Sequence, residues 1–146
     1  MSIVRHIAFA AAAALVHVAA LAQSSPVGLW KTIDDDGKTE KSLVRITDTG
    51  GVLSGKIEKL LDPATKPDAV CDECKDERKG KPLLGLTILR NLKAGDDGWW
   101  EGGDITDPKN GKTYRAKVRT TEGGKQLQMR GYIGPFYRTQ TWIRVE

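Results

Sequence analysis

Three observations predict an all-β fold, an eight-stranded antiparallel up-and-down barrel, for this sequence of 146 residues. Short segments rich in β-branched and aromatic residues alternate with clusters of Gly, Pro, Asp and Asn. Apolar and polar residues alternate with a period of two, most clearly near the C-terminus. Beyond residue 23, no segment carries a helical period.

The elements follow in order. Val27 to Ile33 forms a first strand that ends at Asp34-Asp35-Asp36-Gly37, where Asp-Gly suits a positive φ. Lys41 to Thr47 is the second, and Asp48-Thr49-Gly50-Gly51 turns it into the third, Val52 to Leu60. Next comes the one long connection, residues 61–82, holding three prolines, both cysteines and dense mixed charge. Leu83 to Leu92 resumes the apolar pattern, and Asp96-Asp97-Gly98 separates it from Trp99 to Thr106. Asp107-Pro108-Lys109-Asn110-Gly111 is a proline-initiated turn into Lys112 to Thr120. Glu122-Gly123-Gly124-Lys125 leads to Gln126 to Ile133, and Gly134-Pro135 leads to Arg138 to Val145. In the sixth strand Tyr114, Ala116 and Val118 share one face while Arg115, Lys117 and Arg119 share the other; in the seventh, Leu127 and Met129 oppose Gln126, Gln128 and Arg130. One face is dry and one wet. Sequential strands joined by tight turns make a meander, and closing it removes exposed edges. Eight strands enclose a space that side chains fill or that holds one small ligand.

The N-terminus reads as an address. Arg5 precedes an apolar run from Ile7 to Ala20, and Ala20-Leu21-Ala22 is a small-x-small cleavage signature, so residues 1–22 read as a secretory signal peptide and 23–146 as the single mature domain. A membrane span needs about 20 apolar residues, more than this run supplies, and His17 interrupts it. The expected product is exported, periplasmic in a Gram-negative source. Both histidines, His6 and His17, leave with the peptide, which excludes imidazole bases, Ser-His-Asp and Cys-His nucleophiles, and histidine-containing metal sites. Loss of Arg5 takes the net charge from +4 to +3, too little to indicate a nucleic-acid partner. A membrane-spanning barrel is disfavoured because Arg115, Lys117 and Arg119 sit in mid-strand, where each would cost about 2–4 kcal/mol at a bilayer midplane.

Gly28-Leu29-Trp30 resembles the Gly-x-Trp signature of lipocalins and fatty-acid-binding barrels. That resemblance implies a tryptophan plugging the closed end and a basic residue of the last strand packed across it, here Trp30 and Arg144, with Arg138 as a second candidate. A closer resemblance runs through Gly80-Lys81-Pro82-Leu83-Leu84-Gly85-Leu86, Gly98-Trp99-Trp100-Glu101-Gly102-Gly103, Asp107-Pro108, Gly111-Lys112-Thr113-Tyr114, Arg130-Gly131-Tyr132 and Arg138-Thr139-Gln140-Thr141-Trp142. In this order the motifs resemble the uncharacterised bacterial family known as domain of unknown function 2147. It implies a small exported protein with a lipocalin-like barrel, and no reaction.

Cys71-Asp72-Glu73-Cys74 is the sharpest local motif. A local disulfide suits an oxidising compartment and contributes at most about 2 kcal/mol, because the loop it closes is short. A redox pair needs a helix N-terminus and a lowered thiol pKa, whereas acids outnumber bases here and no helical pattern follows. Zinc would lack a second ligand pair, and Lys75 stands where haem attachment needs histidine. The disulfide is favoured, with redox and metal roles as alternatives. Among the aromatic residues, Trp30 and Trp142 read as packing. Trp99 and Trp100 point to opposite faces, so one ring enters the barrel. Both remain candidates for lining a cavity, together with the inward Tyr114 and Met129. Residues 109–146 hold nine basic and two acidic side chains, and Arg115, Lys117, Arg119 and Arg130 make one basic outer surface. That surface is either a solvated face or an attractor for anionic envelope components. Glu101 and Asp104 fall on opposite strand faces, and no catalytic or cofactor fingerprint is present.

The expectation is therefore a cofactor-free, non-enzymatic barrel that takes a small, largely apolar molecule or lipid. The alternatives are an envelope interaction module using the basic surface and, less favoured, a carboxylate or thiol enzyme.

Overall fold

The computed structural model describes residues 25–146, so the expected signal peptide lies outside the described residues. Its strands are β1 (Gly28–Ile33), β2 (Glu40–Thr49), β3 (Val52–Leu60), β4 (Thr87–Ala94), β5 (Trp100–Asp107), β6 (Lys112–Thr121), β7 (Gln126–Ile133) and β8 (Phe136–Arg144). Each strand pairs antiparallel with its successor, and β8 returns to β1 to close the up-and-down barrel the sequence predicts. The seam is thin: Trp30 pairs with Arg144 and Lys31 with Ile143.

Some strand limits differ from expectation. The fourth strand begins at Thr87 instead of Leu83, because the Leu83 and Gly85 N–H groups donate to the Ala69 and Ile57 carbonyls and Gly85 adopts φ +86°. Trp99 precedes β5, its N–H closing a turn onto the Asp96 carbonyl. The eighth strand starts earlier, at Phe136, since the tight Gly134-Pro135 turn lets Phe136 pair with Ile133.

Along its axis the barrel interior falls into two halves. Trp30, Val44, Ile46, Leu53, Leu89, Leu92, Val118 and Leu127 are fully buried and fill one half. The start of β1, the end of β8 and the β2–β3, β4–β5 and β6–β7 connections lie at that end. There the Trp30 indole N–H donates to the Pro26 carbonyl at 2.8 Å, and the Arg144 guanidinium lies 4.2 Å from the Trp30 ring centroid. Arg144 also donates to the backbone carbonyls of Gly124, Val27 (3.0 Å) and Ser25 (2.6 Å), joining β8, the β6–β7 connection and the chain entering β1. Burial pushes its pKa down. The glycine of Gly-x-Trp has a steric cause: a Cβ on Gly28 would overlap the Glu146 carbonyl and the Arg144 guanidinium.

The long connection is folded, not slack. Val70 bridges Pro82, the Cys71 N–H donates to the Lys81 carbonyl, and the Cys71–Cys74 disulfide is formed. Arg78, buried, donates to the Thr87 carbonyl at 2.8 Å and to the Asp76 carboxylate, whose pKa these bonds hold well below the usual range. The connection rests on the β5–β6 turn, where a Cβ on Gly111 would overlap the Glu73 carbonyl.

Candidate ligand-binding site

The second half of the barrel interior is open. A cavity of about 630 Å³ enters it from the end carrying the β1–β2, β5–β6 and β7–β8 turns and the long connection. Ile57, Ile88, Ile105, Met129 and Trp142 give it an apolar floor, and Thr32, Ser42, Tyr114 and Gln140 add hydroxyl, phenol and amide groups to the wall. The alternation places these groups: Met129, Gly131 and Ile133 of β7 face inward, and their partners on β8, Gln140, Arg138 and Phe136, follow the same face. Gly131 leaves part of the volume empty. A Cβ there would sit at ordinary contact distance, 3.8 Å from Tyr114 and 3.9 Å from Ile105.

The rim is polar and organised by ion pairs. Lys41 donates to Asp62 at 2.8 Å, a bond that, with the Ala64 N–H, holds the Asp62 carboxyl below its usual pKa. Asp35 receives Arg138 at 3.0 Å and Gln140 at 2.8 Å. The turn bearing Asp34 and Asp35 is stiffened by Asp36, which accepts the Thr39 hydroxyl and the Thr39 and Lys38 N–H groups; those bonds lower its pKa to about 2. Asp72, Glu73 and Asp107 complete an acidic rim opposed by Lys41, Lys109 and Arg138. An apolar floor beneath a charged rim accommodates an amphipathic or apolar small molecule, as small-ligand sites commonly do.

Of the four residues expected to line a cavity, Tyr114 and Met129 do so. Trp99 and Trp100 do not, and the reason differs for each. Trp100 faces inward, pairs with Val118 and packs against the filled half. Trp99 lies outside the barrel wall, its ring covered by Lys117 (4.3 Å to the centroid), Arg119 (4.4 Å) and Arg130 (4.9 Å). The basic surface is thus interleaved with aromatic rings, as Arg115 and Lys117 also stand over Tyr132 and Arg130 over Tyr137. Sequence reasoning missed Ile57, Ile88, Ile105 and Gln140 as lining residues, and it read Trp142 as packing alone, whereas that buried ring also forms part of the cavity floor. For Gln140 a usable signal exists, since it shares a strand face with Trp142; the isoleucines carry no such mark, because filled and open halves of a barrel have the same alternation.

Residues 28–144 match the family described as "Uncharacterized protein conserved in bacteria (DUF2147)". Among solved structures, the chain is similar to protein HP1028 from the human pathogen Helicobacter pylori, described as belonging to the lipocalin family. The TM-score is 0.70 at 19% identity, with 84% of each chain covered. No curated protein matches the chain.

Proposed function

We propose that this chain, which belongs to the bacterial DUF2147 family, is an exported small-molecule binding protein that takes a largely apolar ligand into the open half of its lipocalin-like barrel. The observation that carries the reading is the cavity of about 630 Å³ with its apolar floor, inside the 300–1,000 Å³ range usual for small-molecule sites. Export fits the Cys71–Cys74 disulfide, since such bonds persist in oxidising compartments. The role is binding, without catalysis: the wall offers hydroxyl, amide and phenol groups for orienting a ligand, and the rim carboxylates Asp35 and Asp62 are already engaged by Arg138 and Lys41.

Native mass spectrometry of gently extracted protein, together with titration by the neutral fluorophore N-phenyl-1-naphthylamine, tests the proposal. Saturable fluorophore binding is expected in wild type and absent in Gly131→Phe, whose ring occupies the cavity without a backbone clash. If the fluorophore does not bind saturably and no small molecule accompanies the native protein, the ligand-binding reading fails.

A further inference from the structure

We propose that the outer wall of β6–β8 and the β7–β8 turn form a docking surface for an anionic phospholipid bilayer. The sequence from Tyr132 to Tyr137 is uncharged and turns at Gly134-Pro135. Ile133 and Phe136 pair on the inward register but at the very tip, beyond the barrel end, where they are 51% and 75% exposed; Tyr137, 54% exposed, and the half-buried Tyr132 pair on the outer face, their rings 5.8 Å apart. Single exposed apolar residues are ordinary. Here Ile133 and Phe136 form the tip of one turn, and the tyrosine pair behind them borders a wall of one charge sign.

That wall carries Arg115, Lys117, Arg119 and Arg130 on the outward register of β6 and β7, where Lys117 pairs with Arg130 and Arg119 with Gln128. Among the described residues, none of the four has a carboxylate within ion-pair distance. Two acids of the neighbouring β5 are turned elsewhere: Asp104, opposite Arg115, faces Arg90 at 3.6 Å, and Glu101 folds over Gly95. Arg138, paired with Asp35, is not counted. Cations stacked on Trp99, Tyr132 and Tyr137 are held as a layer of charge and ring. Trp99 is buried beneath the cations and holds them in place, while the exposed layer of tyrosine and basic side chains is the composition that headgroup regions of anionic lipid favour. Phe136 and Ile133 then supply the apolar wedge. Continuity with the cavity favours a bilayer over a soluble polyanion, since Ile133 lines the mouth, so a docked turn brings the mouth to the lipid surface. The docking proposal stands whether or not the cavity holds a ligand.

Cosedimentation of the purified protein with large unilamellar vesicles tests it. Wild type is expected to bind vesicles containing 30% phosphatidylglycerol at low salt, to be released at high salt, and to bind pure phosphatidylcholine at least tenfold more weakly. Phe136→Ser should reduce partitioning about tenfold, and Arg115→Gln and Lys117→Gln about fivefold each, since each basic residue near an anionic surface contributes about 1 kcal/mol. Circular dichroism confirms that each variant is folded. Because Phe136 is exposed, its substitution leaves the barrel intact and keeps the test decisive even if a wall variant unfolds. Equal binding to both vesicle types, no binding to either, or full binding by Phe136→Ser overturns the proposal. So does retention of soluble dextran sulfate without vesicle binding, or a concentration-dependent dimer that Phe136→Ser abolishes.

Discussion

Arg144→Ala opens the barrel at its thinnest seam. Two residue pairs join β8 to β1, Leu29 extends the seam by backbone bonds with Val145 and Glu146, and the Arg144 side chain reinforces it by donating to the carbonyls of Gly124, Val27 and Ser25 while covering Trp30. Truncation removes three charge-assisted bonds, each worth about 1 kcal/mol net once water re-solvates the partly exposed carbonyls. It also removes a cation–π contact worth about 1 kcal/mol and the packing of the arginine stem. The sum is about 3–5 kcal/mol. For a barrel of about 120 residues, 1 kcal/mol corresponds to about 4 °C, so the melting temperature should fall by about 12–20 °C. Arg144→Lys keeps the charge but loses the planar fork, and should lie roughly halfway. Arg138→Ala is the control: 72% side-chain exposure and one surface ion pair predict a change under about 1 kcal/mol. Thermal unfolding by circular dichroism, with urea titration for the free energy, reads all three. An Arg144→Ala protein melting within 4 °C of wild type would refute the view that this side chain holds the closed end.

Other perturbations bear on the long connection. Replacing Cys71 and Cys74 together by serine should cost at most about 2 kcal/mol and leave the barrel spectrum unchanged, with faster amide exchange at residues 70–82 as the measurable change. Gly111→Ala forces a side chain into the Glu73 carbonyl at φ +70° and should cost at least about 2 kcal/mol; exchange in the connection should accelerate before that in β7. Asp76→Asn separates a buried guanidinium from its carboxylate. The cost should be about 1–3 kcal/mol, below that of a fully buried pair because the Asp76 side chain is 35% exposed. The Asp76 pKa is lower folded than unfolded, so its stabilisation is complete above about pH 4 and lost as pH falls further. The wild-type advantage over Asp76→Asn should therefore shrink below pH 4, as urea midpoints at pH 7 and pH 3 would show.

Strand order and face assignment were readable because they are local properties. Tyr114, Ala116 and Val118 alternate with Arg115, Lys117 and Arg119, and nothing distant overrides that period. Trp99 escaped this logic. It precedes β5, so the period of two does not govern it, and its burial comes from cations on two later strands. Ligand-facing and packed positions also escaped. Ile46 and Ile57 are alike in type and inward direction, yet one lies in the filled half and the other on the cavity floor, a difference decided by how far along the barrel each strand register places it. The long connection read as irregular because Arg78, Thr87 and Gly111 are brought together only by tertiary structure.

The two ends of the barrel carry different constraints for one physical reason. At the closed end Trp30 and Arg144 use polar groups only to cap backbone and ring, and the interior behind them is packed, so substitutions there are felt as stability. At the open end the interior stops short, Gly131 leaves space unfilled, and the charged rim is tied in pairs across separate turns. Adding volume at Gly131 should fill a void, which costs little in a site with room and can stabilise. A site kept empty where a single methyl-bearing residue would fit is one whose volume serves something other than folding. The expected signature is a Gly131→Ala barrel at least as stable as wild type in urea with weaker fluorophore binding; a clear loss of stability would mean that the glycine is there for the backbone and not for the cavity.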